Sequence, residues 1–595
     1  MRNIALFLAL TSLSAATALA GSEVYVGIRT DGKNGSGTAT DVFNANTQEK
    51  FDALFAGFGP NTTIHLGPGA YHTKGQASFM VKPYWKIHGA GYEATKIIQD
   101  KIGKIGCIVF SGVADGVEIE DLSVDCGLQN QQVVNGKIKA NASAIGIFGS
   151  HLAVRRCLFK NYGSPYDADT NENFAVFIGS PTPASGENLI AEDCIFTGMP
   201  LLPGGQVVFS SVLTLAGGPS KNDLRAGNWA RGVVARRNHF TGCHYACHGI
   251  TVDGSQGAMI VNNVFEHFMG TCVHQDTWPM RDQIIADNIM SDVNQGMHLT
   301  CDDMNNFQIR GNIILINDGY DLNDIVGGVA HTDIDHSLAI GNKIRIRGAK
   351  LAGGAVMPER DVFVVSTPTR SSFAYSRAPD GKSETGDDAV GGFVQPLHYQ
   401  GCMCPQPEAI VVTGGDWKAH PPTNFNIDRN IIKPYSSDDS ARIPSMGISV
   451  WGMKNAQIAD NVVFDSGNHA DLVINSPKGV ISTVVCRDNY HPDGTRLLPR
   501  TSELKIIDSG LMDLPLEAGR NVSLTPVNGR LRIDMATAVQ FGGLRLARSV
   551  DPFGPAHDHH FAGKPGDYAV QADFLYIYAG DGKTHQWKRV AMSDY

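Results

Sequence analysis

The sequence predicts an all-β protein built as a parallel β-solenoid, and three observations support this fold class. Consecutive segments end in one phrase, Asn263-Val-Phe, Asn288-Ile-Met and Asn312-Ile-Ile, with the asparagines 25 and then 24 positions apart. A period of this length is typical of one solenoid coil. The chain also holds 66 glycines and only 18% charged residues, which suits a turn-rich β protein.

The phrase recurs elsewhere at longer and irregular spacing. We expect the same slot to be filled by two cysteines and then by five asparagines: Cys157, Cys194, Asn238, Asn342, Asn430, Asn461 and Asn489. Longer spacing indicates loops inserted at the turns of a solenoid. Stacked asparagine amides can hydrogen-bond along such a ladder, so a structural, inward-facing role is predicted for these residues.

The first 20 residues have the pattern of a secretory signal peptide. Arg2 supplies a positive charge, residues 4–13 form an apolar run, and Ala18-Leu-Ala is a small-x-small cleavage site. The apolar run is too short to span a bilayer, so no membrane span is expected. The mature chain is therefore predicted to begin near Gly21 and to be secreted or periplasmic.

A β-helix domain is predicted over residues 21–500, opened by a capping helix near 47–58. Thr47 can cap the helix, and four apolar residues follow at helical spacing: Phe51, Leu54, Phe55 and Phe58. Such a helix would cover the open end of the solenoid core. The 88 residues from Asn342 to Asn430 indicate a long loop insertion over 343–425, which could form one side of a groove.

The remaining residues, 501–595, are predicted to form a C-terminal β-rich module that ends in a hairpin. Residues 503–536 alternate like short strands, and the last stretch from Gly566 has an aromatic face. The net charge of −10 argues against nucleic acid as a partner, and against a polyanionic substrate unless a cation intervenes.

Counting back from each asparagine predicts which side chains of a coil point outward. At positions −15 and −13 stand apolar residues, which should point inward, so the even positions should face solvent. The predicted outward surface holds two histidines, three aspartates and a tryptophan: His274, His298, Asp253, Asp276, Asp302 and Trp278. In this register His274 lies beside His298, and Asp253, Trp278 and Asp302 form one row. His248 and Asp303 stand beside the surface, with Arg281 nearby.

These residue types suit the cleavage of a polysaccharide. Two imidazoles about 4.8 Å apart disfavour double protonation, so one could be a general base near neutral pH. The Cα atoms of Asp276 and Asp302 would be roughly 8 Å apart, which suits inverting glycoside hydrolysis. Trp278 could stack on a sugar ring. Two simpler interpretations stay open: a solvated polar wall, and a calcium site that begins at Asp302-Asp303.

With the coils placed, the chain resembles the pectate-lyase-like superfamily of right-handed parallel β-helices over roughly residues 24–495. The segment Gly67-Pro-Gly-Ala-Tyr and the phrase Lys86-Ile-His-Gly-Ala-Gly-Tyr-Glu-Ala-Thr-Lys-Ile carry the resemblance. It implies a carbohydrate-active or fibre protein, such as a lyase, a glycoside hydrolase, an epimerase or a tailspike, with its site on one exposed wall. The final hairpin resembles tail modules of fibres, which implies attachment or a homotrimer.

Three hypotheses follow for a polysaccharide partner. The first is a glycosidase in which Asp276 and Asp302 are the acid/base pair, Asp253 shares their surface, and His274 or His298 assists. The second is a lyase, in which a histidine removes the proton next to a uronate carboxylate and Ca²⁺ at Asp303 neutralises that carboxylate. The third is a non-catalytic carbohydrate-binding or fibre protein. In each case Trp278, Arg281 and His248 are the expected substrate-binding residues.

Overall fold

The structure is a computed structural model. It describes residues 22–74, 79–100, 107–131, 133–134, 137–138, 141–165, 174–180, 186–197, 208–209, 211–217, 229–241, 248–276, 278–300, 303–317, 319–333, 336, 338, 340–369, 371–379, 381, 388–397, 407–413, 420–435, 446–463, 470–475, 483–497, 500–502, 505–508, 522–527, 530–535, 568–571, 574–578 and 587–591. The predicted signal peptide lies outside these residues.

The main body is a parallel β-helix with three walls, which confirms the predicted fold class. Wall 1 is a 17-stranded parallel sheet. Its strands are Ser22–Gly27, Phe43–Asn44, Thr62–Leu66, Lys86–His88, Glu118–Glu120, Leu152–Arg155, Leu189–Glu192, Ala230–Arg231, Val234–Arg236, Ser255–Gln256, Met259–Val261, Met280–Ala286, Met304–Arg310, Thr423–Asp428, Ala456–Ala459, Thr483–Arg487 and Lys505–Asp508.

Walls 2 and 3 belong to one 20-stranded sheet, because two long strands, Val264–Asp276 and Ile289–Thr300, run through both. The other strands of wall 2 are Gly69–Thr73, Thr95–Gln99, Ser123–Asp125, Leu158–Lys160, Ile195–Thr197, His239–Thr241, Ile313–Ile316, Ile431–Pro434 and Val462–Val463. Those of wall 3 are Cys107–Val113, Ala142–Phe148, Val176–Gly179, Ser211–Ala216, His248–Asp253, Glu408–Thr413, Met446–Trp451, Ala470–Asn475 and Arg500–Ser502. A 3₁₀ helix spans Leu128–Asn130.

An asparagine ladder runs inside the β-helix, as the sequence predicts. Each Nδ2 donates to the Oδ1 of the asparagine in the next coil at 2.8–3.1 Å. The ladder comprises seven buried residues, Asn238, Asn263, Asn288, Asn312, Asn430, Asn461 and Asn489. Before them, the backbone N–H of Cys194 donates to Asn238, so Cys194 occupies the preceding slot, and Cys157 is likewise buried.

Asn342 was predicted to belong to this ladder, and the structure corrects that prediction. Asn312 pairs directly with Asn430, and Asn342 instead precedes the strand Lys343–Arg347, which pairs antiparallel with Arg360–Thr369. The short phrase of an asparagine before a β-strand is therefore not unique to the coils, because it also suits the start of an antiparallel strand.

Replacing Asn288 with alanine is expected to lower the free energy of unfolding by about 1–3 kcal/mol, because it removes the acceptor of the buried Asn263 backbone N–H and the amide donor to the Ile260 carbonyl and to Oδ1 of Asn312. Denaturant unfolding of the purified variant measures the change. Asn34→Ala, at an exposed position, is the control. Equal loss in both variants would contradict a stabilising role for the ladder.

The predicted capping helix is confirmed at Gln48–Gly57. Thr47 is its N-cap and accepts a hydrogen bond from the backbone N–H of Lys50 at 3.4 Å. Phe51 and Phe55 are fully buried. Both rings contact the ring of Phe79, with centroids 5.4 Å and 4.4 Å away. The helix therefore closes the apolar core at its N-terminal end.

The insertion is a folded unit, whereas the sequence predicted a long loop over 343–425. Its eight strands form one antiparallel sheet with a hydrophobic core of its own. They are Tyr320–Val326, Val329–Thr332, Lys343–Arg347, Lys350–Leu351, Arg360–Thr369, Ser372–Ser376, Ala389–Val390 and Phe393–Pro396. The chain leaves wall 2 after Ile316 and returns to wall 3 at Glu408, so the insertion grows from the corner between these walls.

At the C-terminal end, the parallel coils continue to the strand Lys505–Asp508, slightly beyond the predicted boundary at 500. A hairpin of Val522–Val527 and Arg530–Met535 follows, and then an antiparallel sheet of Tyr568–Gln571, Phe574–Tyr578 and Trp587–Ala591. Two short antiparallel pairs complete the strands, Val133–Val134 with Lys137–Ile138 and Ser164–Pro165 with Val208–Phe209. Within the described residues, no helix has the length and apolar character needed to cross a membrane.

Candidate functional site

Wall 3 brings the predicted histidines to its outer face. The backbone register places Thr251, His274, His298 and Val411 level with one another in consecutive coils. Their preceding neighbours point into the core and are completely buried: Ile250, Val273, Met297 and Ile410. Because strand side chains alternate between faces, this burial fixes the outward direction of both histidines. The predicted pairing of His274 with His298 is confirmed.

His248, predicted only to stand beside the surface, is part of the same cluster. Its ring stacks on that of His274 with centroids 3.6 Å apart and planes 3° apart. The ring of His298, in the following coil, also contacts His274: the two ring centroids are 5.7 Å apart, and the ring planes are inclined at 65°. The Nδ1 atom of His248 and the Ser211 hydroxyl share a hydrogen bond of 3.2 Å. We call His248, His274 and His298 the histidine column.

The surroundings keep two rings of the histidine column uncharged. Burial, with a smaller contribution from the neighbouring His298, lowers the pKa of His248 to about 3. Burial also holds the pKa of His274 well below its ordinary value, and both neighbouring imidazoles act in the same direction. Desolvation and like charges each disfavour the imidazolium form. His248 and His274 can therefore exchange hydrogen bonds with a ligand, but they offer it no positive charge.

The structure changes the predicted alignment of Asp253. Counting from the asparagines set Asp253 level with Trp278, but Thr251 pairs with His274, so the predicted register is two residues off at this point. The ladder spacing from Asn263 to Asn288 is 25 residues, whereas this stretch of wall 3 is offset by 23, because turn lengths differ between coils. The wall 3 strands of these two adjacent coils end at Asp253 and at Asp276.

An aromatic residue, Trp451, lies three coils beyond Asp276 on wall 3. Asp276 pairs with Thr300 in the next coil. Two coils later, Trp451 pairs with Thr413 of the coil before it. Trp451 is half-buried and donates from Nε1 to the Ser449 hydroxyl at 2.9 Å. It stands about 14 Å from Asp276 along the helix axis, at about 4.8 Å per coil.

A second polar row on wall 3 was not predicted. The Thr271 hydroxyl donates to Oε1 of Gln295 at 2.5 Å, and Nε2 of Gln295 donates to Oε2 of Glu408 at 3.1 Å. Burial raises the pKa of Glu408, and the hydrogen bond from Gln295 only partly opposes that effect. Counting from an asparagine missed Glu408 because the insertion and a longer turn separate it from the ladder.

The raised pKa of Glu408 predicts a dependence of stability on pH. The folded state binds a proton that the unfolded chain has already released, so stability falls as pH rises from the ordinary glutamate range through the folded pKa. In Glu408→Gln this loss should be absent. Thermal unfolding at a series of pH values compares the two proteins. If the unfolding temperatures of the two proteins changed with pH in parallel, Glu408 would have an ordinary pKa in the folded protein.

Arg281 and Asp303 lie at the corner between walls 3 and 1 and engage each other. Nη2 of Arg281 donates to the Asp303 carboxylate at 2.9 Å, and its guanidinium group lies 5.4 Å from the centre of the Trp229 ring. A cation at Asp303 would have to compete with this guanidinium group. Within the described part of the chain, no group of three or more His, Cys, Asp or Glu could hold a metal ion.

The other predicted site residues are only partly described. Trp278 is half-buried on the turn that follows wall 3. Asp302 lies outside the described residues, and for Asp276 the structure describes the backbone alone. The acid/base pair of Asp276 and Asp302 therefore stays a prediction. Cys272 is buried and has a free thiol.

No family model and no curated protein matches this sequence. Several solved structures are similar to the fold. A lacto-N-biosidase from Eubacterium ramulus is 12% identical over 82% of this chain and 68% of its own, with a TM-score of 0.40. A mannuronan C-5 epimerase A-module from Azotobacter vinelandii is 11% identical over 78% and 96%, with a TM-score of 0.29.

A surface adhesin of Streptococcus pneumoniae, PfbA, is also similar: it is 11% identical over 82% of this chain and 94% of its own, with a TM-score of 0.30. The three proteins have different activities. At such scores these likenesses carry no argument about what wall 3 does, and the function has to be argued from its residues.

Proposed function

We propose that this protein is an exported glycoside hydrolase that cleaves a polysaccharide on wall 3. One observation carries the proposal: three imidazoles stack across wall 3, and the strands that carry His248 and His274 end at Asp253 and Asp276, in adjacent coils. Most outward polar residues of a solenoid only keep the wall in solution. A stack of three imidazoles, two of them held uncharged, is costly for that purpose alone.

Hydrolysis of a glycosidic bond needs two carboxyl groups with different tasks. One gives a proton to the glycosidic oxygen as the bond to the anomeric carbon breaks, and the other assists attack at that carbon. Glycosidases hold these groups roughly 5–9.5 Å apart. Carboxylates on adjacent coils of one wall can meet that spacing. Asp253 and Asp276 are therefore proposed for these tasks, together with Asp302, which follows the same strand one coil later.

The histidines and Trp451 would act on the sugar rather than on the bond. Neutral imidazoles can hold sugar hydroxyl groups by hydrogen bonds, and the face of an indole ring can cover a sugar ring. Trp451 would then bind a unit of the polysaccharide about 14 Å along the wall from the proposed point of cleavage. Binding over several coils favours an extended polysaccharide.

A lyase mechanism has less support on this wall. Elimination from a uronate requires a positive charge to neutralise the sugar carboxylate. Arg281, the cation that the sequence placed nearest to the site, is paired with Asp303. The two neutral rings cannot replace it. Formation of an unsaturated sugar would be needed to restore the lyase hypothesis.

The test is incubation of the purified mature chain, with and without EDTA, with a panel of neutral and acidic polysaccharides. New reducing ends without near-ultraviolet absorbance, unaffected by EDTA, are expected. Absorbance from an unsaturated sugar would instead indicate a lyase. Retention of a polysaccharide on affinity electrophoresis with no product at all would replace the proposal by a binding or fibre role.

A further inference from the structure

We propose that wall 3 takes an uncharged glycan, and that His248 and His274 set this preference by presenting neutral hydrogen-bonding groups where an acidic sugar would need a cation. The inference rests on the proposed role of wall 3 as the glycan site. It concerns binding, however, and can therefore be tested whether or not the bound glycan is cleaved.

The geometry of His248 favours a neutral ring with a defined hydrogen-bonding pattern. The Ser211 hydroxyl can donate to Nδ1 across the 3.2 Å bond, which leaves the ring proton on Nε2. On one face the ring is covered by His274 at 3.6 Å. Two parallel imidazoles at this distance cannot both carry a charge without strong repulsion.

His274 is the middle ring of the column and the most enclosed. Only 9% of it is exposed, and imidazoles flank it in both adjacent coils. A proton on this ring would be desolvated and would face two further rings that compete for it. The centre of the wall therefore holds a neutral ring.

Among the described residues of wall 3 and its corner with wall 1, we consider two acidic groups and one paired cation. Glu408 lies on the same wall, at the end of the row formed with Thr271 and Gln295. Asp253 stands two residues from the level of His274. Arg281 is held by Asp303 and by the ring of Trp229. A carboxylate or sulfate on the glycan would approach carboxylates without meeting a cation among these residues.

The experiment uses the mature chain and oligosaccharides that differ only in charge. Polygalacturonate and alginate oligomers are compared with the same oligomers after reduction of their carboxyl groups, and binding is measured by calorimetry. The carboxyl-reduced member of a pair should bind on the order of tenfold more tightly. Equal or tighter binding of the charged members would overturn the inference, and so would an absence of binding to every oligomer.

Two variants locate the preference on the wall. His248→Lys places a cation beside the column and should raise the affinity for the charged oligomers relative to their reduced partners. Its control is His72→Lys, at an exposed histidine of wall 2. Glu408→Gln removes a negative charge and should shift the ratio in the same direction, whereas Glu118→Gln, in an ion pair on wall 1, should not. Unchanged ratios in both wall 3 variants would contradict the assignment.

Cleavage of the oligosaccharides is measured in the same samples, so that the proposed hydrolase activity and the proposed preference for uncharged glycans are tested separately. Preferential binding of reduced oligomers without any cleavage would leave this inference in place and remove the hydrolase. Cleavage confined to the charged oligomers would have the opposite consequence.

Discussion

Replacing Asp276 with asparagine is expected to lower the rate of polysaccharide cleavage by about 10²–10⁴-fold, the usual contribution of a positioned acid or base. Asparagine keeps the size of the side chain but can neither hold nor release the proton. Asp253→Asn should also reduce the rate, because Asp253 ends the wall 3 strand of the adjacent coil. Reducing-end release under single-substrate conditions measures both effects.

The matched control is Asp193→Asn. Asp193 lies at a turn of wall 1 and forms an ion pair with Arg237 at 2.7 Å, away from the site. The thermal unfolding of all three variants should stay close to that of the unsubstituted protein. A cleavage rate that is equal in Asp276→Asn and in the control would remove Asp276 from the proposed chemistry.

Replacing Phe240 with alanine is expected to lower the free energy of unfolding by about 3–5 kcal/mol, because a large buried ring leaves a cavity that the rigid coils cannot close. Phe240 is fully buried and lies in a stack of four phenylalanines inside the β-helix. Its ring centroid is 4.8 Å from that of Phe196 and 4.5 Å from that of Phe265. Denaturant unfolding followed by circular dichroism measures the loss.

Phe240→Leu serves as the comparison, since it removes less volume and should cost clearly less than alanine. The ordering of the two variants tests the cavity argument itself. If both lost the same small amount, the stack would contribute little and the asparagine ladder would carry more of the stability.

The histidine pair could be predicted from the sequence because one coil follows another with almost constant length in that region. His274 and His298 are 24 residues apart, and so are Asn288 and Asn312, so the same count serves both. Inward and outward directions followed from the apolar residues beside them, since strand side chains alternate.

The same count failed for Asp253 and Asn342. Asp253 lies in a coil whose turns differ in length from those of the next one, so the ladder and wall 3 have different offsets. Asn342 carries the right phrase but belongs to a sheet with a different pairing direction. A sequence pattern counts residues along the chain, whereas the register is decided by the hydrogen bonds between strands.

The sequence by itself determined the parallel β-helix, the capping helix and the wall that holds the histidines. These features depend on a local period and on the alternation of apolar residues, which any coil must satisfy to bury its core. Only the tertiary structure joined Glu408 to Gln295 across 113 positions and brought the ring of His248 onto that of His274. Contacts of this kind depend on turn lengths and on where an insertion leaves and rejoins the coil, and no local pattern encodes either.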